Sequence, residues 1–407
     1  TNSWGPYDDG MRLEPPGPLT VATIEDSAYN GRSGLGNIYT WAAGNGLTAD
    51  DNSNYDGYAN NRFAIAVTAI THMGRQSWYA EPGANILVAS HSDGDGEGIT
   101  TTDISGGTTA DFGGTSSATP LVAGVIALML EANENLTWRD VQHILVGSAR
   151  MMDVNDSSWE PNGAGHMVSH KYGFGAADAG AAVSLAENWT SSGHESNASF
   201  GPFFEAADIP DGSDDWSEFD VEIPVDLQLE SIEVVVDISH SSRGNLDIVL
   251  QSPSGKESRL AEEHSDSSND YSYWMFSTVH HWGESSIGNW TLKVRDSVGS
   301  NSGTLNSWEM MIHGVGNISD FDNDGWPDYN DEDDDNDGWS DLDEESCGTD
   351  PLDSSSLPSD NDLDGICDEV DLDDDDDGFV DIEEIACDTD PMNASSSPND
   401  ADSDGTC

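Results

Sequence analysis

Along the first 190 positions, apolar residues fall in short unbroken runs between glycine-rich polar loops, as strands buried on both faces do. Residues 38–43 form one run, which stops at Gly44-Asn45-Gly46; residues 63–70 and 85–89 form two more. Residues 118–131 are too long for a strand and rich in small side chains, which predicts a helix buried close to a sheet. Thr137 precedes an amphipathic stretch over 138–146 and predicts an N-capped helix. This is the pattern of a parallel α/β domain over residues 1–190.

From 191 to 315 the period changes to two. Residues 231–237, 246–250 and 289–294 alternate or run apolar between Ser/Gly/Pro turns, which predicts a separate all-β sandwich or jelly roll. From 316 to 407 a repeat replaces the apolar pattern. D-x-D-x-D-G starts at Asp320, Asp333, Asp360, Asp373 and Asp400, in steps of 13, 27, 13 and 27, so the unit is 40 residues. The four cysteines, Cys347, Cys367, Cys387 and Cys407, stand twenty residues apart in this segment. That spacing suits neither a zinc site nor a CxxC redox pair and predicts disulfides in an oxidising compartment.

Charge narrows the partners. The formal net charge is -67, from 79 acidic and 12 basic side chains, which repels nucleic acid and anionic membranes and favours basic peptides or metal ions. No Lys or Arg follows Arg295, so the last segment is either a solvated tail or a structure held by cations. Asp333, Asp335, Asp337, Gly338, Asp341 and Glu344 occupy positions 1, 3, 5, 6, 9 and 12 of a calcium loop, and Asp373, Asp375, Asp377, Gly378, Asp381 and Glu384 repeat them. Asp320, Asp322, Asp324 and Asp360, Asp362, Asp364 offer further carboxylate sets. Amphipathic flanking helices are not evident, which argues against paired EF-hands. No run reaches the roughly 18–20 apolar residues of a membrane span. Seven Asn-X-Ser/Thr sequons, including Asn135, Asn188 and Asn289, agree with an extracellular destination.

Phe112-Gly113-Gly114-Thr115-Ser116-Ser117-Ala118-Thr119-Pro120 carries the sharpest chemistry. A serine at a helix start sets its hydroxyl beside free N–H groups that favour a developing oxyanion. Serine is also a common N-cap, so the residues alone leave a structural role open. This segment, followed by Leu121-Val122-Ala123-Gly124-Val125, resembles the nucleophile motif of subtilisin-like proteases, and residues 130–143 narrow the resemblance to the kexin/furin branch.

The resemblance implies Ser116 as nucleophile and Asn45, in Trp41-Ala42-Ala43-Gly44-Asn45-Gly46, as oxyanion donor. By itself Asn45 reads equally as a turn residue before Gly46. It further implies that Ser3, Trp4, Gly5 and Pro6 line an extended substrate and that Asp8 and Asp56, with Tyr58 nearby, floor the primary pocket. Asp8, Asp51 and Glu81 would surround one calcium ion, and Glu14 would meet a more distant basic residue. Cleavage after Arg or Lys-Arg follows as the expectation. Any one of these acids alone is equally a solvated loop charge.

Asp8-Asp9-Gly10 imitates the family's catalytic-aspartate segment but follows the substrate-lining one. Subtilisins run Asp, His, Ser along the chain, and no His-Gly-Thr segment lies between Gly10 and Ser116. None of His72, His91, His143, His166 or His170 has suitable neighbours in sequence. Both partners of Ser116 are thus expected before Thr1, and the final repeat is expected to continue past Cys407. The polypeptide alone is expected to be inactive, since a subtilisin without a triad member loses about 10⁶ in kcat.

Residues 242–248, 252–255, 282–284 and 288–292, with Trp308, resemble the P domain that follows kexin-type catalytic domains. The acidic repeats resemble thrombospondin type 3 repeats, which wrap a chain around calcium; Cys347–Cys367 and Cys387–Cys407 are the expected pairs. The expected whole is an incomplete subtilisin-like α/β domain, an all-β jelly-roll P domain and an irregular calcium-bound tail. It implies a secreted, calcium-dependent serine endopeptidase acting on protein substrates at basic sites. A calcium-dependent adhesion or spacer protein with a non-catalytic protease-like domain is the alternative; Asp8, Asp56 and the P domain disfavour a broad-specificity subtilisin.

Overall fold

The three apolar runs become β1 (Tyr39–Ala42), β2 (Ala64–Ile70) and β3 (Ile86–His91), a parallel sheet in that order, preceded by α1 (Pro18–Gly34). The structure, a computed structural model, describes residues 1–407 apart from 6, 105, 300, 317, 318, 320, 323–327, 329, 330 and 399–407. β4 (Ile99–Asp103) and β5 (Gly107–Phe112) form a hairpin that leads into α2 (Thr115–Ala132). Val122, Ile126 and Met129 of α2 bury against Ile65, Val67, Leu87 and Val88 of the sheet. α2 starts three residues before the predicted 118 because Gly114, at φ +78°, turns the chain where a β-carbon would be strained. By length and composition α2 also passes for a membrane span, which the sequence reading excluded; in this fold its buried face belongs to the core.

α3 (Trp138–Ser148) begins where predicted. Thr137 Oγ1 accepts from the Asp140 N–H while the Asp140 carboxylate accepts from Thr137, a reciprocal cap. The short pair β6 (Trp159–Pro161) and β7 (Met167–Ser169) and helix α4 (Ala179–Ala186) complete this half.

Eight strands then form two four-stranded antiparallel sheets. They are β8 (Glu195–Ile209), β9 (Ser217–Ile223), β10 (Gln228–Ser239), β11 (Leu246–Gln251), β12 (Glu257–Ala261), β13 (Tyr271–Thr278), β14 (Gly288–Asp296) and β15 (Gly303–Val315). The sheet orders are β13-β10-β15-β8 and β12-β11-β14-β9. Alternate residues, with Trp290, Trp308 and Phe276 among the largest, fill the space between them.

Both halves belong to one compact unit, Thr1–Asn317. Val279 and Trp282, just after β13, enter the core of the α/β half. Around them the seam is polar: Asn162 Nδ2 donates to the His280 and Trp282 carbonyls, and Asn54 exchanges two hydrogen bonds with the Ser277 backbone. Arg139 clasps Glu230 through Nε and Nη2 at 2.7 and 2.5 Å, and His143 reaches the same carboxylate at 2.6 Å.

The second unit spans Ile318–Cys407. It consists of acidic loops, each full twelve-residue loop running into one short helix: α5 (Asp341–Cys347) and α6 (Asp381–Ala386). These helices, of seven and six residues, were not foreseen; the final loop positions wind because Asp and Glu suit a helix N-terminus. Cys347 and Cys367 form a disulfide. The Cys387–Cys407 pairing, and the ligand positions Asp320 and Asp324, fall on residues outside the description.

Candidate active site

α2 places Ser116 in its first turn, one residue inside the helix, half-buried at the wall of a cleft of about 230 Å³. The opposite wall is the turn after β1. There Gly44 adopts φ +111°, and a β-carbon at this position would strike the Glu81 carboxylate, so only glycine brings Asn45 round to face the helix. Asn45 Oδ1 accepts from the Thr115 backbone N–H at 2.8 Å and from Thr115 Oγ1 at 3.0 Å. These bonds orient the amide so that Nδ2 faces the cleft, where it donates to Asp8 Oδ2 at 3.2 Å.

Ser3, Trp4, Gly5, Asp8 and Asp56 line the same cleft, so the structure gathers most of the predicted site. Asn2 donates to the Thr40 carbonyl of β1 and accepts from the Ala42 N–H in parallel register, which lays the N-terminal segment along the sheet edge. A side chain on Gly5 would meet Asp56, which keeps the floor of the pocket open to that carboxylate.

Two predicted residues do not line this cleft. Tyr58 lies behind the cleft, stacked on Trp41 at 4.9 Å with Trp4 edge-on, because a flat ring gains more from its aromatic neighbours than from solvent. Glu14 pairs its backbone with Asp56 and lies 3.9 Å from Arg12, away from the cleft lining. Pro6 lies outside the described residues. Among the described residues no histidine lines the cleft or hydrogen-bonds Ser116.

Behind the cleft, Asp8, Asp51, Asp56 and Glu81 converge on a cavity of about 10 Å³, the size of one atom. Burial pushes Asp51 and Asp56 up to about 7, against the pull of backbone N–H groups, with Asp8 adding repulsion. Burial also pushes Glu81 well up, and Asp51 and Asp8 add to it. Carboxylates crowded in this way, around a one-atom space, have the donor set and size of a hard-cation site.

The repeat loops pass the same test. In each of Asp333/Asp335/Asp337, Asp360/Asp362/Asp364 and Asp373/Asp375/Asp377 one carboxylate oxygen from each residue lies within 4.8 Å of the others. Glu344 and Glu384 are fully buried, and both oxygens of each carboxylate lack a hydrogen-bond partner, as does Oδ2 of Asp335, Asp337, Asp375 and Asp377. Buried carboxylate oxygens without donors are costly unless a cation meets them. Asp341 and Asp381 instead accept the N–H groups of Asp334 and Asp374 at 3.0 Å, which closes each loop. Asp322 interacts with Asn336.

Two residues of the site escaped the sequence reading. Thr115 lay inside the recognised motif, but its hold on Asn45 has no signature because the partners are seventy positions apart. Asp93 accepts from Gly114 N–H at 2.9 Å and Tyr79 Oη at 2.5 Å, and it holds the turn before Ser116. Partial burial would raise Asp93, but hydrogen bonds from Tyr79, Gly114 and Ser92 hold it below the usual carboxylate range.

Residues 1–175 match the profile of the subtilase family, and residues 229–312 match that of the proprotein convertase P-domain. The chain joins a subtilase domain to a proprotein convertase P domain. Its curated relatives include proprotein convertase subtilisin/kexin type 6 of Rattus norvegicus, 40% identical over 333 residues, covering 77% of this chain and 35% of that protein. Furin of Homo sapiens is 36% identical over 327 residues, covering 77% of this chain and 40% of that protein. The chain therefore spans well under half the length of these relatives. The serine protease of Aeromonas sobria shares the fold, with TM-score 0.67 at 22% identity over 77% of this chain and 71% of that one. Ser116, Asn45 and the acidic cage all lie in the subtilase domain, and the seam of buried ion pairs joins it to the P domain.

Proposed function

We propose that this chain belongs to a secreted, calcium-dependent serine endopeptidase that cleaves protein substrates after Arg or Lys-Arg. The observation that carries the reading is one cleft lined by Ser116, Asn45, Asp8 and Asp56 together. Ser116 Oγ would attack the peptide carbonyl, and Asn45 Nδ2 with the Ser116 N–H would hold the resulting oxyanion. A guanidinium at the substrate's cleavage position suits Asp56 and Asp8 by charge-assisted bonding. Ser3, Trp4 and Gly5 would align the substrate backbone along the cleft.

Asp8, Asp51 and Glu81 would hold one calcium ion, and the acids at 333–344, 360–364 and 373–384 would hold others. When bound, the ion neutralises carboxylates that otherwise repel. The Cys347–Cys367 disulfide and the relatives' class support an extracellular or cell-surface protein.

A Ser-His-Asp mechanism also requires a histidine against Ser116, and the described residues bring none there. Residues 1–407 alone are accordingly expected to be inactive. The same observation supports the second reading, a calcium-bound adhesion or spacer protein with a silent protease-like domain. The test uses the complete native protein on paired peptides ending in Arg-Arg or Phe at the cleavage position. Cleavage of the first alone, lost with a calcium chelator, is expected. Equal cleavage of both removes the specificity claim, and cleavage of neither favours the second reading.

A further inference from the structure

Six of the seven sequons lie within the described residues: Asn135, Asn155, Asn188, Asn197, Asn289 and Asn393. The seventh, Asn317, does not. All six asparagines are exposed. Of the seventeen described asparagines outside a sequon, only five are exposed, and Asn52, Asn54, Asn60, Asn61, Asn85 and Asn162 are buried.

The amide nitrogens separate the two groups more sharply. In thirteen of the seventeen, Nδ2 donates a hydrogen bond, as from Asn60 to the Met275 carbonyl or from Asn133 to that of Ala186. Among the described residues, Nδ2 donates in none of the six sequons. Asn135, Asn155 and Asn188 sit in turns. On β8 and β14 the alternation that buries Ala198 and Trp290 turns Asn197 and Asn289 to solvent. Asn393 keeps Nδ2 free while its Oδ1 accepts from Ser395 N–H at 3.3 Å. The middle residue is never proline.

We propose that these six asparagines are acceptors of N-linked oligosaccharide. The donor would be an oligosaccharide on a polyprenyl phosphate or pyrophosphate. Nδ2 forms a bond to the anomeric carbon and gives up one proton. The anomeric C–O bond breaks, and the phosphate leaves with its electron pair. A nitrogen already donating inside the fold is unavailable for this step. Asn45 in the cleft and Asn52 at the acidic cage have engaged amides and no sequon, so neither is an acceptor. None of this depends on the protease reading.

Peptide mapping of the protein from its native source tests the proposal. With only 12 Lys and Arg, the digest needs an Asp- or Glu-directed protease. A glycan mass is expected on peptides carrying each of the six asparagines. Asn269 is the control, because it is exposed with a free amide but has no sequon, and it should stay unmodified. Asn289→Gln should lose one glycan from the intact mass with the melting temperature of the deglycosylated protein unchanged, since its side chain makes no hydrogen bond. Recovery of all six peptides unmodified overturns the proposal, as does glycan on Asn269 or an unchanged intact mass in Asn289→Gln.

Discussion

Asn45 owes its orientation to Thr115, and this is where the site is most fragile. Two bonds on one oxygen fix the amide at the cleft wall without any contribution from substrate. In the proposed endopeptidase, Asn45→Ala is expected to lower kcat about 10²–10³-fold with KM nearly unchanged, a magnitude known from a subtilisin. Steady-state kinetics on an Arg-Arg peptide check it; a change confined to KM would reassign Asn45 to substrate binding. Ser116 and Asn45 were readable in the sequence because short motifs hold their backbones. Asp93 and Thr115 were not readable as supports, since each acts on a partner far along the chain. That Tyr58 and Glu14 lie off the cleft lining was not readable for a related reason: spacing shows that a residue is near a motif but not which way its side chain turns.

At the scale of elements, the carboxylate triads that open the acidic loops were legible in the repeat, and the short helices after them were not. A twelve-residue ligand spacing is written in the residues themselves, whereas α5 and α6 exist only because the loop's last acids stand at a helix start. Glu344 and Glu384 are the wedge in each unit, buried with four oxygens unsatisfied between them. Chelation of calcium is therefore expected to unfold residues 318–407, seen as loss of far-UV ellipticity and a lower melting temperature. Glu344→Gln should weaken binding at its own loop at least about tenfold by calorimetry, while the loop at 373–384 keeps its affinity. Retained ellipticity in excess chelator would show a fold that does not need the ion. The strands of the β domain were easier to foresee than their two-sheet order, because alternation fixes the buried face but not the neighbour.

Across the first unit, stability rests on a polar seam and on histidines kept out of water. Arg139, Glu230 and His143 form one buried cluster between the domains; hydrogen bonds from His143 and Arg139 hold Glu230 low despite burial. Arg139→Met leaves that carboxylate stranded and is expected to cost about 3–5 kcal/mol, read from denaturant midpoints. Burial pushes His264, His280 and His281 below their ordinary 6.5. Below that pH the unfolded chain binds protons that the folded unit refuses, so stability present at neutral pH falls on acidification. The urea midpoint should drop between pH 7.5 and 5.5, and His280→Leu should drop less; an equal drop would clear His280.

The stretch from Asp51 to Asn60 has two faces with different employers. Asp51 and Asp56 look into the cage and cleft, while Asn52, Asn54 and Asn60 grip the β domain through Glu262, Ser277 and Met275. The β domain thus serves as the mould in which the proposed selectivity pocket is cast. Grafting a foreign module after residue 190 would alter which peptides are preferred, even where the hybrid is as robust as its parent.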